Sequence, residues 1–136
     1  MIYLDSAAVV KLIRQETHSA ELVAWLNAHD DAPLVSSTLV EVEVPRAVRR
    51  SAPQALVGVP AAIGRLFRLE IDSTIRATAA AFAEPSLRSL DAIHLATAQV
   101  LVNESGTELL AFVTYDRRLL HAAKAAGLPT ASPGQD

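Results

Sequence analysis

The chain has 136 residues, 51% of them hydrophobic and 20% charged, with no cysteine and a formal net charge of −3. That length and apolar content suit one ordinary domain and exclude a disordered tail or a mini-protein that needs staples. Without cysteine there are no disulfides, thiolate metal sites or cysteine nucleophiles. The opening Met1-Ile-Tyr-Leu-Asp5 lacks a basic region leading into an apolar stretch, and no apolar run approaches the roughly 18 residues of a membrane span. A cytoplasmic protein with no membrane association is expected. A general nucleic-acid binder is usually basic, so any RNA contact here must rest on local basic patches or on bound cations.

In chain order, short apolar runs alternate with longer segments of helical period. A strand at 2–4 is followed by helices at 6–14 and 17–29. A strand at 33–36 precedes helices at 38–50 and 53–65. A strand at 67–71 precedes helices at 73–83 and 89–104. A strand at 109–114, a helix at 116–126 and a short run at 129–131 close the chain. Strands separated by helices need crossover connections, so the expected fold is α/β: a parallel sheet of four to five strands flanked by helices, in a single domain over 1–136. Thr38 and Glu41 fit a capping box, Ser89 can cap the helix that holds Asp91, and Gly127 suits a helix stop. Pro45 should kink its helix or mark the true start. Leu22, Val23, Trp25 and Leu26 make an apolar stripe that serves equally as core or as part of a groove for a partner helix.

In an open parallel sheet, ligands bind beyond the carboxyl ends of the strands. Asp5 follows the first strand directly and Asp116 follows the fourth. Glu43 lies in the helix after the second strand, and Asp91 in the first turn of the apolar helix Leu90-Asp-Ala-Ile-His-Leu-Ala-Thr-Ala98. Each acid alone has a structural explanation as a cap or a dipole partner; together they fall where an α/β site belongs. Glu41 and Glu43 point in different directions on one helix. Glu41 fits the cap, and Glu43 shares a face with Arg46 and Arg50. Two carboxylates about 4 Å apart repel by about 4 kcal/mol at an intermediate dielectric. Hard divalent cations, Mg²⁺ or Mn²⁺, resolve that conflict, while an all-oxygen donor set disfavours Zn²⁺.

The order Met1-Ile-Tyr-Leu-Asp5-Ser6, then Ser36-Ser-Thr-Leu-Val-Glu-Val-Glu43-Val-Pro-Arg46-Ala, then Ser89-Leu-Asp91-Ala-Ile-His-Leu-Ala-Thr-Ala98, then Val113-Thr-Tyr-Asp116-Arg-Arg-Leu119 resembles the PIN-domain nucleases, and among them the VapC toxins of toxin–antitoxin pairs. The resemblance covers almost the whole chain. It implies a Mg²⁺- or Mn²⁺-dependent endoribonuclease whose catalytic and metal-holding residues are Asp5, Glu43, Asp91 and Asp116, with Ser6 and Thr114 as polar neighbours. It also implies a VapB-like antitoxin as partner, an RNA substrate, and a homodimer that joins a larger toxin–antitoxin complex.

Three further features are weighed. Arg46 is a candidate for holding RNA phosphate, with Arg49, Arg50, Arg117 and Arg118 as weaker ones. His94, three residues after Asp91, reads as a packed, hydrogen-bonded side chain rather than a base, and His18, His29 and His121 read as surface residues. Two competing functions are considered. A haloacid dehalogenase-like phosphatase using Asp5 as nucleophile would want a second aspartate two residues on, where Ala7 stands. A PIN-like binding module that no longer cuts is opposed by the complete acidic quartet.

Overall fold

The computed structural model describes residues 1–135. Five strands form one sheet: β1 (Ile2–Leu4), β2 (Leu34–Ser37), β3 (Phe67–Leu69), β4 (Ala111–Val113) and β5 (Thr130–Ala131). Their spatial order is β3-β2-β1-β4-β5, and every pairing is parallel. Seven α-helices connect them: α1 (Ser6–Ile13), α2 (Ser19–Ala28), α3 (Val40–Ser51), α4 (Val59–Gly64), α5 (Ser73–Ala81), α6 (Ser89–Ser105) and α7 (Arg117–Ala125). This is the α/β architecture expected from the alternation of strands and helices.

Residue period two on β1 divides the core into two layers. Ile2 and Leu4 face one way and pack with Val9, Leu22, Val40, Val44 and Val113, beneath α1 to α4. Tyr3 faces the other way, with Phe112, Val35, Leu95, Ala98 and Leu119, beneath α6 and α7. Tyr3 and Phe112 stack nearly parallel, with ring centroids 5.0 Å apart. Every β1 side chain is fully buried, as a central strand covered on both faces requires. The chain winds outward from β1 to β2 and β3, then returns to the other side of β1 as β4. The direction therefore reverses between β1 and β4, which is where such sheets open a crevice.

Several local expectations need correction. Thr38 does not cap α3: the helix starts at Val40, and its N-cap residue, Leu39, makes no side-chain cap bond. Ser37 satisfies the turn instead, its Oγ accepting the Leu39 amide at 3.1 Å. Glu41 forms no capping box either and pairs with Arg68 at 3.2 Å. Ser89 is the first residue of α6, not its cap; Arg88 holds the capping position without a side-chain bond. Pro45 neither starts nor ends α3, which runs through it. The 53–65 segment divides into a 3₁₀ stretch, Pro53–Gly58, and α4. Leu22 and Leu26 of the apolar stripe are core, and Trp25 is half-buried against the same cluster. Val23 of the stripe is exposed. His18 and His29 are more than surface residues: His18 stacks on Tyr115 at 5.4 Å, and the His29 ring is hydrogen-bonded to the Trp25 carbonyl at 2.8 Å.

Gly127 does end α7. The Leu128 amide donates to the Ala123 carbonyl and the Gly127 amide to Lys124, a Schellman closure with Gly127 at φ +84°. No atom lies within 4 Å of where a Cβ would stand, so the backbone conformation is the only obstacle to a side chain. Gly127→Ala should therefore cost about 1 kcal/mol of unfolding free energy, measured by urea denaturation.

Candidate active site

Asp5 leaves β1 at its carboxyl end and starts α1. One carboxylate oxygen accepts the Ala8 amide at 2.9 Å as a helix cap, and the other accepts the Thr114 hydroxyl at 2.6 Å from just beyond β4. Asp116 repeats the pattern on the neighbouring strand. Its Oδ1 accepts the Arg118 and Leu119 amides at 2.9 and 3.0 Å, capping α7. Its own amide donates to the Thr114 hydroxyl at 3.1 Å, so Thr114 ties the two strand ends together. Capping and membership of a site are not alternatives for these two acids; a helix N-terminus supplies the amides that hold a carboxylate in place.

Glu43 reaches the same place from α3. Its Oε1 accepts the Ser6 hydroxyl at 2.7 Å and lies 2.9 Å from His94 Nε2. The other ring nitrogen, Nδ1, lies 2.8 Å from the Tyr3 hydroxyl. A carboxylate only accepts, so Nε2 carries the proton that faces Glu43. Burial pushes the Tyr3 phenol well above its ordinary value, against the opposing hydroxyls of Ser36 and Thr97, so its proton stays available to Nδ1. The chain Tyr3–His94–Glu43 thus runs from the core to the site, with His94 only 2% exposed. The sequence reading of His94 as a packed, bonded histidine describes its burial correctly but misses that its partner is Glu43. Spacing along α6 pointed to Asp91, whereas the contact is made across to α3.

Asp91 completes the set from the first turn of α6. Asp5, Glu43, Asp91 and Asp116 line one cleft of about 340 Å³, with Ser6, His94, Arg50 and Arg88. Arg88 is the residue the sequence did not single out. Its Nε lies 3.4 Å from Asp91 and its Nη2 3.2 Å from Asp116, both on the Oδ2 atoms. Its place three residues before Asp91 at a helix start was the available signal. Arg46 does not line the acidic cleft; it flanks an adjoining hollow of about 220 Å³ with Arg49 and Arg50, and Arg50 belongs to both.

The electrostatics are those of crowded acids. Burial raises the Asp5 carboxyl above its ordinary value and nearby Asp91 adds to this, against His94, Thr114 and the Ala8 amide. Burial also raises Asp91, joined by repulsion from Asp116 and opposed by Arg88 and His94. Glu43 goes the other way: burial acts against its charge, but the His94 and Ser6 hydrogen bonds outweigh it. Among the described residues, no three of these acids and imidazoles are gathered into a finished metal site. The donor set nevertheless fits a hard divalent cation. It is all oxygen, it is concave, and crowding adds to burial in raising Asp5 and Asp91.

Residues 2–125 match the PIN domain family model. Ribonuclease VapC35 of Mycobacterium tuberculosis is 51% identical over 135 residues, which covers 99% of this chain and 98% of the relative. Ribonuclease VapC47 of the same organism is 40% identical, with 98% of each chain covered. The crystal structure of M. tuberculosis VapC20, described as a sarcin-ricin loop cleaving toxin, superposes with a TM-score of 0.71 at 18% identity, over 98% of this chain and 100% of that one; at that identity the likeness shows the fold. The chain belongs to the PIN-domain family and, within it, to the VapC group.

Asp5 and Asp91 hold their protons more tightly folded than unfolded. Their contribution to stability is fully present below the ordinary carboxylate range and is lost as pH rises through their raised folded values. Glu43 contributes in the opposite sense. In chelator, Asp91→Asn should melt above wild type near neutral pH, and its melting temperature should fall less steeply from acid to neutral pH. A variant less stable than wild type at neutral pH would make Asp91 a helix-end residue and not one of a repelling group.

Proposed function

We propose that this protein is a divalent-metal-dependent endoribonuclease that acts as the toxin of a type II toxin–antitoxin pair in the cytoplasm. The observation that carries the reading is the convergence of Asp5, Glu43, Asp91 and Asp116, from four separate segments, on one cleft at the point where the sheet reverses direction. The ribonuclease names of relatives at 51% and 40% identity over nearly the whole chain support it. Among the described residues, no helix is long and apolar enough to cross a membrane.

In this reading the four carboxylates would hold Mg²⁺ or Mn²⁺, which would supply positive charge to the phosphodiester oxygens and help activate water. The chain supplies rigidity. Asp5 is held by the Ala8 amide and Thr114, Asp116 by the start of α7, and Glu43 by Ser6 and His94. Three of the four acids are thus fixed before substrate arrives, so little reorganisation of them remains for the reaction. RNA phosphates would leave the cleft past Arg50 toward Arg46 and Arg49 on the same helix, a local basic track on a chain that is acidic as a whole. A VapB-like antitoxin is the proposed partner and a homodimer the proposed assembly, both from the family resemblance.

Glu43→Gln should abolish RNA cleavage with little loss of stability. Glu41→Gln should retain it, because Glu41 is exposed and faces Arg68 at the sheet edge. Gel-based cleavage of total RNA by the two purified variants checks this, and the reverse pattern would misassign α3. Cleavage by wild type should stop in chelator and return with Mg²⁺ or Mn²⁺ but not Zn²⁺; undiminished cutting in excess chelator would overturn the metal reading.

A further inference from the structure

Arg88 stands outside every role assigned so far. Its side chain is 67% exposed at the mouth of the cleft, yet its guanidinium spans the Oδ2 atoms of Asp91 and Asp116, at 3.4 and 3.2 Å. On Asp116 it takes the oxygen that the α7 amides leave free, since both of those amides use Oδ1. It is a positive charge placed between two of the acids that repel each other. A cation bound through these Oδ2 atoms would compete with the guanidinium for them. Each weakens the other, because a guanidinium and a divalent ion in contact with one pair of carboxylates repel each other.

Resting on the metal-dependent reading above, we infer that Arg88 is a two-position residue. It is the cleft's own counter-ion when no divalent ion is present. When displaced, it turns to hold the phosphate of the RNA strand at the cleft mouth. Its fork of donors suits either partner, since carboxylate and phosphate both accept paired N–H groups. Its position just before α6, with no cap bond of its own, leaves the side chain free to exchange one for the other.

The two halves of the inference have opposite signs when Arg88 is removed, which separates them from a lesion in the fold. Full-length wild type, Arg88→Gln and Arg88→Lys would be titrated with Mn²⁺ by calorimetry without RNA, and their cleavage kinetics measured at saturating metal. Arg88→Gln should bind Mn²⁺ about two- to fivefold more tightly, as loss of a partly exposed competing ion pair predicts. Its KM for RNA should rise about tenfold through loss of a charged hydrogen bond, with a smaller change in kcat. Arg88→Lys, a point charge without the fork, should stay near wild type for Mn²⁺ and lie between the other two in KM. Unchanged or weaker Mn²⁺ binding by Arg88→Gln would overturn the counter-ion role, and an unchanged KM would overturn the phosphate role. If wild type itself binds no Mn²⁺, the metal-dependent reading falls and this inference with it. Binding by wild type with no difference in the variant overturns this inference alone.

Discussion

The structure depends on one buried carboxylate. Asp5 is 4% exposed, and both of its oxygens are engaged, one by the amide that starts α1 and one by Thr114 beyond β4. A buried carboxylate is tolerated only when its lone pairs are met, so these bonds fix the angle at which α1 leaves the central strand and the distance between the ends of β1 and β4. That spacing defines the cleft. The Thr114 hydroxyl donates to Asp5 and accepts from Asp116, so a single side chain sets the separation of two of the four acids. The floor of the site is built from fold-forming contacts, and the acids are held by the same bonds that end strands and begin helices.

The other two acids are placed less directly. Glu43 sits on a helix whose adjacent face, Val40, Val44 and Val48, is locked into the core, so its direction is set by packing. Its final position is set by His94, which is oriented in turn by Tyr3 on the central strand. Asp91 rides on α6, whose residues Leu95 and Ala98 pack under Tyr3 and Phe112. Both acids are thereby referenced to β1 through the second core layer, whereas Asp5 and Asp116 are referenced to it through the sheet itself.

Much of this was legible in the sequence. Asp5 and Asp116 were found because they follow apolar strands, and a strand end in a parallel sheet has a known meaning. Periodicity located all seven helices, because each buries an apolar face. What escaped were interactions across elements. His94 looked like a core histidine because nothing local shows that α6 and α3 bring it to Glu43. Arg88 lies in the short connection before α6, where no periodicity gives a direction. The capping box at Thr38 failed because local pattern cannot show that Ser37, at the end of β2, captures the turn first, nor that Glu41 is drawn to Arg68 on the next strand. Arg46 was favoured for lying three residues after Glu43, but the helix turns it past the cleft and gives Arg50 the lining position.

The register of the sheet bears on when the protein becomes active during its own synthesis. β1 pairs with β4 as Ile2 to Ala111, and Asp5 is closed by Thr114, 109 residues later. At about 5–20 residues per second, the ribosome spends roughly 5 to 20 s between making the first acid of the site and making the last. Until β4 emerges, β1 lacks one of its two neighbours, Asp5 lacks its hydroxyl donor, and the cleft has only one wall. A nascent chain therefore lacks the complete acidic cleft. The cleft is completed only with the closing fifth of the polypeptide.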